Sequence, residues 1–177
     1  MAFLPEAIWQ RRLDSEHRQM VESGEAFTAS ADKAEYRVGI VADGLALDAS
    51  GRVVQRREHQ VRIRLLRNYP YAGGIDVAWM TPIFHPNIRN EDGKVCIQLL
   101  NNWAASQSVA SLVQGLRQLL KNPNPADPLD KRAAEYFSQG AQAKQHAHQT
   151  AARRRGRCYR HGSCGRRYRR VSCRSCG

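Results

Sequence analysis

The sequence predicts an α+β fold, a sheet of antiparallel strands flanked by helices, and three observations carry that prediction. Residues 5–22 repeat apolar positions at near-helical spacing. Residues 34–80 contain stretches in which apolar and charged residues alternate, and residues 109–120 form a regular apolar helical stripe. Period-two alternation buries one face of a strand and wets the other, which suits an antiparallel meander packed on helices.

In the first helix, Ile8, Trp9, Leu13 and Met20 mark the apolar side. Pro5 suits its first turn, where the missing N–H costs nothing, and Gly24 ends it. The basic pair Arg11 and Arg12 reads as solvated. Strands are expected at 34–41, 53–66 and 75–80: Val61, Ile63 and Leu65 alternate with Arg62 and Arg64, and Ile75, Val77 and Trp79 with Asp76 and Ala78. Asp43-Gly44 and Ser50-Gly51 are the turn signals between them. Val109, Leu112, Val113, Leu116, Leu119 and Leu120 predict the central core helix, capped by Ser106 or Ser108 and stopped by Pro123 and Pro125. Helices are also expected at 130–137 and about 140–155.

At 177 residues the chain is long enough for one domain with its own core and a small appendage. No apolar run approaches the ~20 residues of a membrane span, and the charges Glu6 and Arg11 interrupt any secretory pattern at the start, so a cytoplasmic protein is expected. The net charge is +12, but ten arginines and no acid lie between Arg153 and Gly177. The basic character therefore belongs to the tail. The expected organisation is a folded domain over 1–155 and a basic Cys/His-rich tail over 156–177.

The stretch Thr81 to Trp103 holds the chemistry. Pro82 and Pro86 exclude a regular helix or central strand, so His85-Pro86-Asn87 lies on stiff, irregular backbone. A polar loop then ends in Gly93, and Cys96 is the only cysteine among the first 157 residues. A lone cysteine is commonly a small buried hydrophobe; beside an imidazole and an amide on rigid backbone it is also a candidate nucleophile. A cysteine peptidase would need His85 as its base, but that histidine sits before proline in a rigid corner with no recognisable orienting partner. Trp79 and Trp103 read as packing residues.

Five motifs in order, NYPYAGG from Asn68, HPNI from His85, GKVC ending at Cys96, Trp103 and NPNPADPLDKRAAEYF from Asn122, resemble the ubiquitin-conjugating enzymes over roughly residues 5–152. The resemblance implies that family's fold, a four-stranded antiparallel sheet flanked by helices. It implies an acyltransferase that accepts a ubiquitin-like modifier from an activating enzyme as a thioester on Cys96 and transfers it to a substrate lysine, with a ligase as a further partner. It assigns Asn87 to the oxyanion, His85 and Pro86 to the structure of the site, and Asp127 to aiming the incoming lysine. Asp127 could equally cap the helix that follows. Compared with the family, the Asn87–Cys96 spacing is one residue longer and the Cys96–Trp103 spacing one shorter. Tyr71-Ala72-Gly73-Gly74 and Trp103-Ala104-Ala105-Ser106 depart from the family's proline-containing loops, which form its ligase-docking surface. The alternative is a non-catalytic adaptor that binds the modifier; the presence of Cys96 argues against it.

Lys94 is the only cation near Cys96 and points away from it in an extended segment, so only a modest thiolate fraction is expected.

In the tail, His161-Gly-Ser-Cys164 and Cys173-Arg-Ser-Cys176 each place two soft ligands with two residues between them, followed by glycine. That spacing suits one tetrahedral Zn²⁺ held by His161, Cys164, Cys173 and Cys176, with Cys158 able to replace His161. Too few residues are present to form a core without metal, and a cytosolic setting argues against disulfides. Arginines interleaved with Tyr159 and Tyr168 are suited to nucleic acid or an acidic protein face.

Overall fold

The computed structural model describes residues 3–71, 73–95 and 107–139. Cys96, Trp103, the expected helix at 140–155, and all tail residues, Cys158, His161, Cys164, Cys173 and Cys176 among them, lie outside the described residues. The elements are α1 (Glu6–Glu22), β1 (Phe27–Ala29), β2 (Glu35–Leu47), β3 (Val53–Leu65), β4 (Ile75–Trp79) and α2 (Val109–Lys121), followed by a helical run at 131–139, here α3. The four strands form one antiparallel sheet in sequence order, as the family resemblance implies.

Alternation places Val61, Ile63, Leu65, Val77 and Trp79 inside, while Ile75 is only half-buried and Ala78, expected on the wet face, is buried. Val38, Val61 and Trp79 lie side by side across the sheet, as do Tyr36, Ile63 and Val77, and all are buried. Against that face packs α2, burying Val109, Leu112, Val113, Leu116 and Leu120. Ser108 caps it: the Ser108 hydroxyl accepts from the Ser111 N–H at 3.3 Å, and Ser111 Oγ accepts from the Ser108 N–H at 3.0 Å. Two orphan donors of the first turn are thereby satisfied. The loop after α1 is tied to α2 by a fork, Arg117 Nη1 and Nη2 each 2.6 Å from Glu25 oxygens, with Gln114 adding a bond at 2.9 Å.

Three further features differ from the reading of the residues. The pattern gives only three of the four strands, because β1, with three residues, is too short to show a period. Ile8 is 49% exposed, and the buried positions of α1 are Leu13, Glu16 and Met20. Asp43-Gly44 is not a hairpin turn: β2 continues through it with a register shift between Val41 and Gly44. The extra residue forms a bulge that makes room for His59, which is 2% exposed and donates from Nε2 to the Ala42 carbonyl at 3.3 Å. A Cβ on Gly44 would sit 2.8 Å from that nitrogen. The true turn is the second expected one, where Asp48 Oδ1 accepts from the Ser50 and Arg52 N–H groups.

Candidate active site

After β4 the chain runs irregularly from Met80 to Val95. The Trp79 N–H donates to the Gly93 carbonyl at 2.7 Å, and the Phe84 N–H to the Leu45 carbonyl at 2.7 Å. Between these anchors Ile83 through Ile88 are all buried. The loop from Arg89 to Lys94 is closed by main-chain bonds, Arg89 N–H to Lys94 C=O and Gly93 N–H to Arg89 C=O, both 2.9 Å. An exposed fork from Arg89 to Asp92 spans it, at 2.9 and 2.6 Å. The Arg89 bond, joined by the Lys94 N–H, draws the Asp92 carboxyl down to about 2. Lys94 is exposed.

His85 is 3% exposed, and both of its ring nitrogens are engaged. Nδ1 accepts the Asn87 N–H at 3.1 Å, which leaves Nε2 as the protonated nitrogen, donating to the Leu119 carbonyl at 3.1 Å. It is a neutral structural imidazole that ties the corner to the C-terminal end of α2. Burial lowers its pKa to about 4. In the unfolded chain it titrates near 6.5, so between those values the unfolded state binds more protons and stability falls as pH falls. Urea melts at pH 7 and pH 4.5 are expected to differ less in His85→Gln than in the parent. The missing part is on the order of 2–3 kcal/mol; an identical pH slope in both proteins would remove His85 as its source.

Asn87, also 3% exposed, stitches this corner to the segment 124–127. Its Nδ2 donates to the carbonyls of Asn124 (2.7 Å) and Asp127 (3.2 Å), and its Oδ1 accepts the Asn124 N–H at 2.8 Å. Both amide hydrogens are thus engaged with backbone. The Pro86 carbonyl adds bonds from the Leu129 and Asp130 N–H groups, at 2.7 and 3.1 Å. Asp127 is exposed, and its carboxylate bonds to no other described residue. It does not cap α3. That role belongs to Asp130, whose Oδ1 accepts the Ala133 N–H at 3.0 Å; Asp127 ends one turn too early.

The segment leading to Cys96 is placed against the same corner. Ile88 bridges both His85 and Val95, and Lys94 bridges Ala78. Val95, the residue before Cys96, is thus held beside Ile88, which follows Asn87. Sequence reasoning missed Asn124 as the partner of Asn87, and Glu16, which is fully buried on α1. A signal for Glu16 exists: it lies three residues after Leu13 and four before Met20, a carboxylate on the apolar stripe. Arg12, expected in solvent, lies 2.8 Å from it. Among the described residues, no group of three His, Cys, Asp or Glu side chains is placed to hold a metal.

The family model described as ubiquitin-conjugating enzyme matches residues 44–152, a span that includes the corner, Cys96 and Asp127. The chain belongs to the ubiquitin-conjugating enzyme family. It is 32% identical over 108 residues to a ubiquitin-conjugating enzyme of Arabidopsis thaliana, covering 56% of this chain and 58% of that one. A Nedd8-conjugating enzyme of Drosophila melanogaster is 41% identical over 73 residues, 41% of this chain and 39% of the relative. The matches thus span less than two thirds of the length of these curated relatives. Among solved structures, the E2 domain of a Toxoplasma gondii ubiquitin conjugating enzyme superposes with a TM-score of 0.60 at 21% identity, covering 76% of this chain and 89% of that one. The four-stranded sheet and its helices are therefore the ubiquitin-conjugating fold.

Proposed function

We propose that this member of the ubiquitin-conjugating family is an active cysteine acyltransferase. In the first step the Cys96 thiolate attacks the modifier's C-terminal thioester on an activating enzyme, forming one C–S bond as the other breaks. In the second a neutral lysine amine attacks the new thioester. A C–N bond forms, the C–S bond breaks, Cys96 leaves as thiolate, and the amine gives up its proton to solvent or a nearby acid. The observation that carries this reading is the fixed approach to Cys96, with Val95 bridged to Ile88 directly after His85-Pro86-Asn87.

In this reading Asn87 contributes by holding the segment that bears Asp127, and its amide reaches a developing oxyanion only when it leaves one of its carbonyl partners. Asp127, with its carboxylate exposed, orients the amine. The partners are a ubiquitin-like modifier, its activating enzyme, a lysine-bearing substrate and a ligase, in a cytoplasmic setting. The test is incubation with activating enzyme, ATP and modifier, read as a reductant-sensitive adduct; no adduct with any ubiquitin-like modifier would leave only the adaptor reading. Asn87→Ala and Asp127→Ala are expected to charge normally yet discharge to free lysine about 10–100-fold more slowly, since small displacements of aligned groups cost that much. Equal losses in charging and discharge would reduce both residues to fold maintenance.

The tail, taken as a unit over residues 156–177, is proposed to hold one structural zinc through His161, Cys164, Cys173 and Cys176, with Cys158 as the alternative to His161. Its arginines are proposed to contact nucleic acid or an acidic protein face. The support is ligand spacing and charge. Purified protein is expected to contain about one zinc per chain, lost in the Cys173→Ser, Cys176→Ser double variant. Deleting the tail should leave the charging of Cys96 intact and abolish any salt-sensitive nucleic-acid binding. Metal content unchanged by the double variant would refute the ligand set.

A further inference from the structure

Arg12 and Glu16 form a clamp that the function proposed above does not use. Glu16 has no exposed surface. Its Oε1 accepts the Tyr69 hydroxyl at 2.6 Å, and its Oε2 accepts the Val109 N–H at 2.8 Å. Val109 is the first residue of α2, so its N–H has no partner within the helix, and a carboxylate there also meets the positive end of the helix dipole. Arg12 completes the arrangement. Its Nη2 donates to the Gln107 carbonyl at 2.7 Å and to the Tyr69 hydroxyl at 3.1 Å. Its guanidinium lies 5.3 Å from the centre of the Tyr69 ring.

An ion pair with one partner fully buried is a poor way to gain stability, because an apolar replacement of similar volume is commonly neutral or better. What an apolar side chain on this stripe could not do is bond to two chosen backbone groups. Those groups, the carbonyl of 107 and the N–H of 109, stand at the end of the stretch that begins with Cys96. The start of that stretch follows Val95, which is bridged to Ile88. The chain is therefore held on either side of residues 96–106, at Val95 by the residue that follows the His85-Pro86-Asn87 corner and at Gln107 and Val109 by α1.

We propose that Arg12 and Glu16 are positioning residues for thioester transfer, fixing the chain at Gln107 and Val109, C-terminal to Cys96. The proposal rests on Cys96 carrying the modifier. It acts through geometry: holding both ends restricts where the thioester carbonyl can lie relative to Asn87 and Asp127, and alignment of this kind governs rate more than affinity.

The test uses the full chain and the variants Glu16→Gln, Arg12→Gln and Arg117→Gln. Glu16→Gln keeps the shape but turns an amide NH₂ toward a donor. Arg117→Gln breaks the fork to Glu25, which grips the same helix without touching residues 107–109, and so serves as the control for lost stability. Amide exchange at residues 107–109 is expected to rise at least tenfold in the Glu16 and Arg12 variants and to stay unchanged in Arg117→Gln. Single-turnover discharge to free lysine should fall about tenfold in maximal rate at unchanged half-saturating lysine, with the control within twofold of the parent. Unaltered exchange at 107–109 in a folded Glu16 or Arg12 variant overturns the clamp, whether or not the chain charges. Equal slowing of discharge in the Arg117 control, at equal loss of melting temperature, overturns the positioning role. If Glu16→Gln does not fold, Arg12→Gln decides, since that side chain is partly solvated. Failure of the parent to charge at all counts against the acyltransferase reading and, with it, the role in transfer.

Discussion

Cys96→Ala is expected to give no adduct under conditions in which the parent chain is fully charged, a loss limited only by detection. A thioester needs a sulfur nucleophile, and Cys96 is the only cysteine in the first 157 residues, the span that contains the whole of the family match. Cys96→Ser should accept the modifier more slowly, because a hydroxyl ionises far less readily than a thiol, and the resulting ester should resist reductant. Serine at any of the four tail cysteines should leave charging unchanged. An adduct that persists in Cys96→Ala and disappears on changing a tail cysteine would transfer the chemistry to the tail.

The largest effect expected on stability belongs to Gly93→Ala. Gly93 has φ +70°, a conformation that alanine adopts only with strain, and an added Cβ would fall 1.9 Å from the Trp79 carbonyl oxygen. Backbone on both sides makes relief by a rotamer change impossible, so the 89–94 loop or the end of β4 must move. Strain and overlap together are expected to cost on the order of 3–5 kcal/mol, read as a lowered denaturation midpoint. Because Gly93 also accepts the Trp79 N–H, charging should fall with stability. A loss below about 1 kcal/mol, the level of ordinary surface changes, would mean that this approach is relieved in solution.

The fold was legible because β2, β3 and α2 bury regular stripes, and a stripe is a local property of the sequence. Where burial depends on a distant partner, the pattern misleads. Asp43-Gly44 carries the composition of a turn, but pairing on both sides of it carries the strand through, and only the need to house His59 explains the glycine. Arg12 looks solvated in a helix rich in charge; its partners at Tyr69 and Gln107 lie far along the chain. At the site, the order His85-Pro86-Asn87, Cys96, Asp127 could be read directly. That Asn87 has both amide hydrogens on the carbonyls of Asn124 and Asp127 could not, since hydrogen bonds between loops leave no period. Asp130 rather than Asp127 caps α3 for a similar reason: two acids three residues apart both resemble caps until the helix start is fixed.

The outer side of β4 bears on how this protein can meet others. A terminal strand ordinarily offers a row of unsatisfied main-chain groups, onto which a foreign peptide or a second copy can add as a further strand. Here the N–H of Trp79 is already engaged by Gly93, and Lys94 is bridged to Ala78, so the C-terminal end of the row is occupied by the very segment that leads to Cys96. The opposite terminal strand, β1, has only three residues, too few for a firm ladder. Strand addition along the whole of β4 would have to peel residues 93–95 away and so displace the approach to the nucleophile. A foreign strand compatible with catalysis is therefore confined to the first residues of β4, too short a stretch for a firm ladder, and this shortening also guards the sheet against edge-to-edge aggregation.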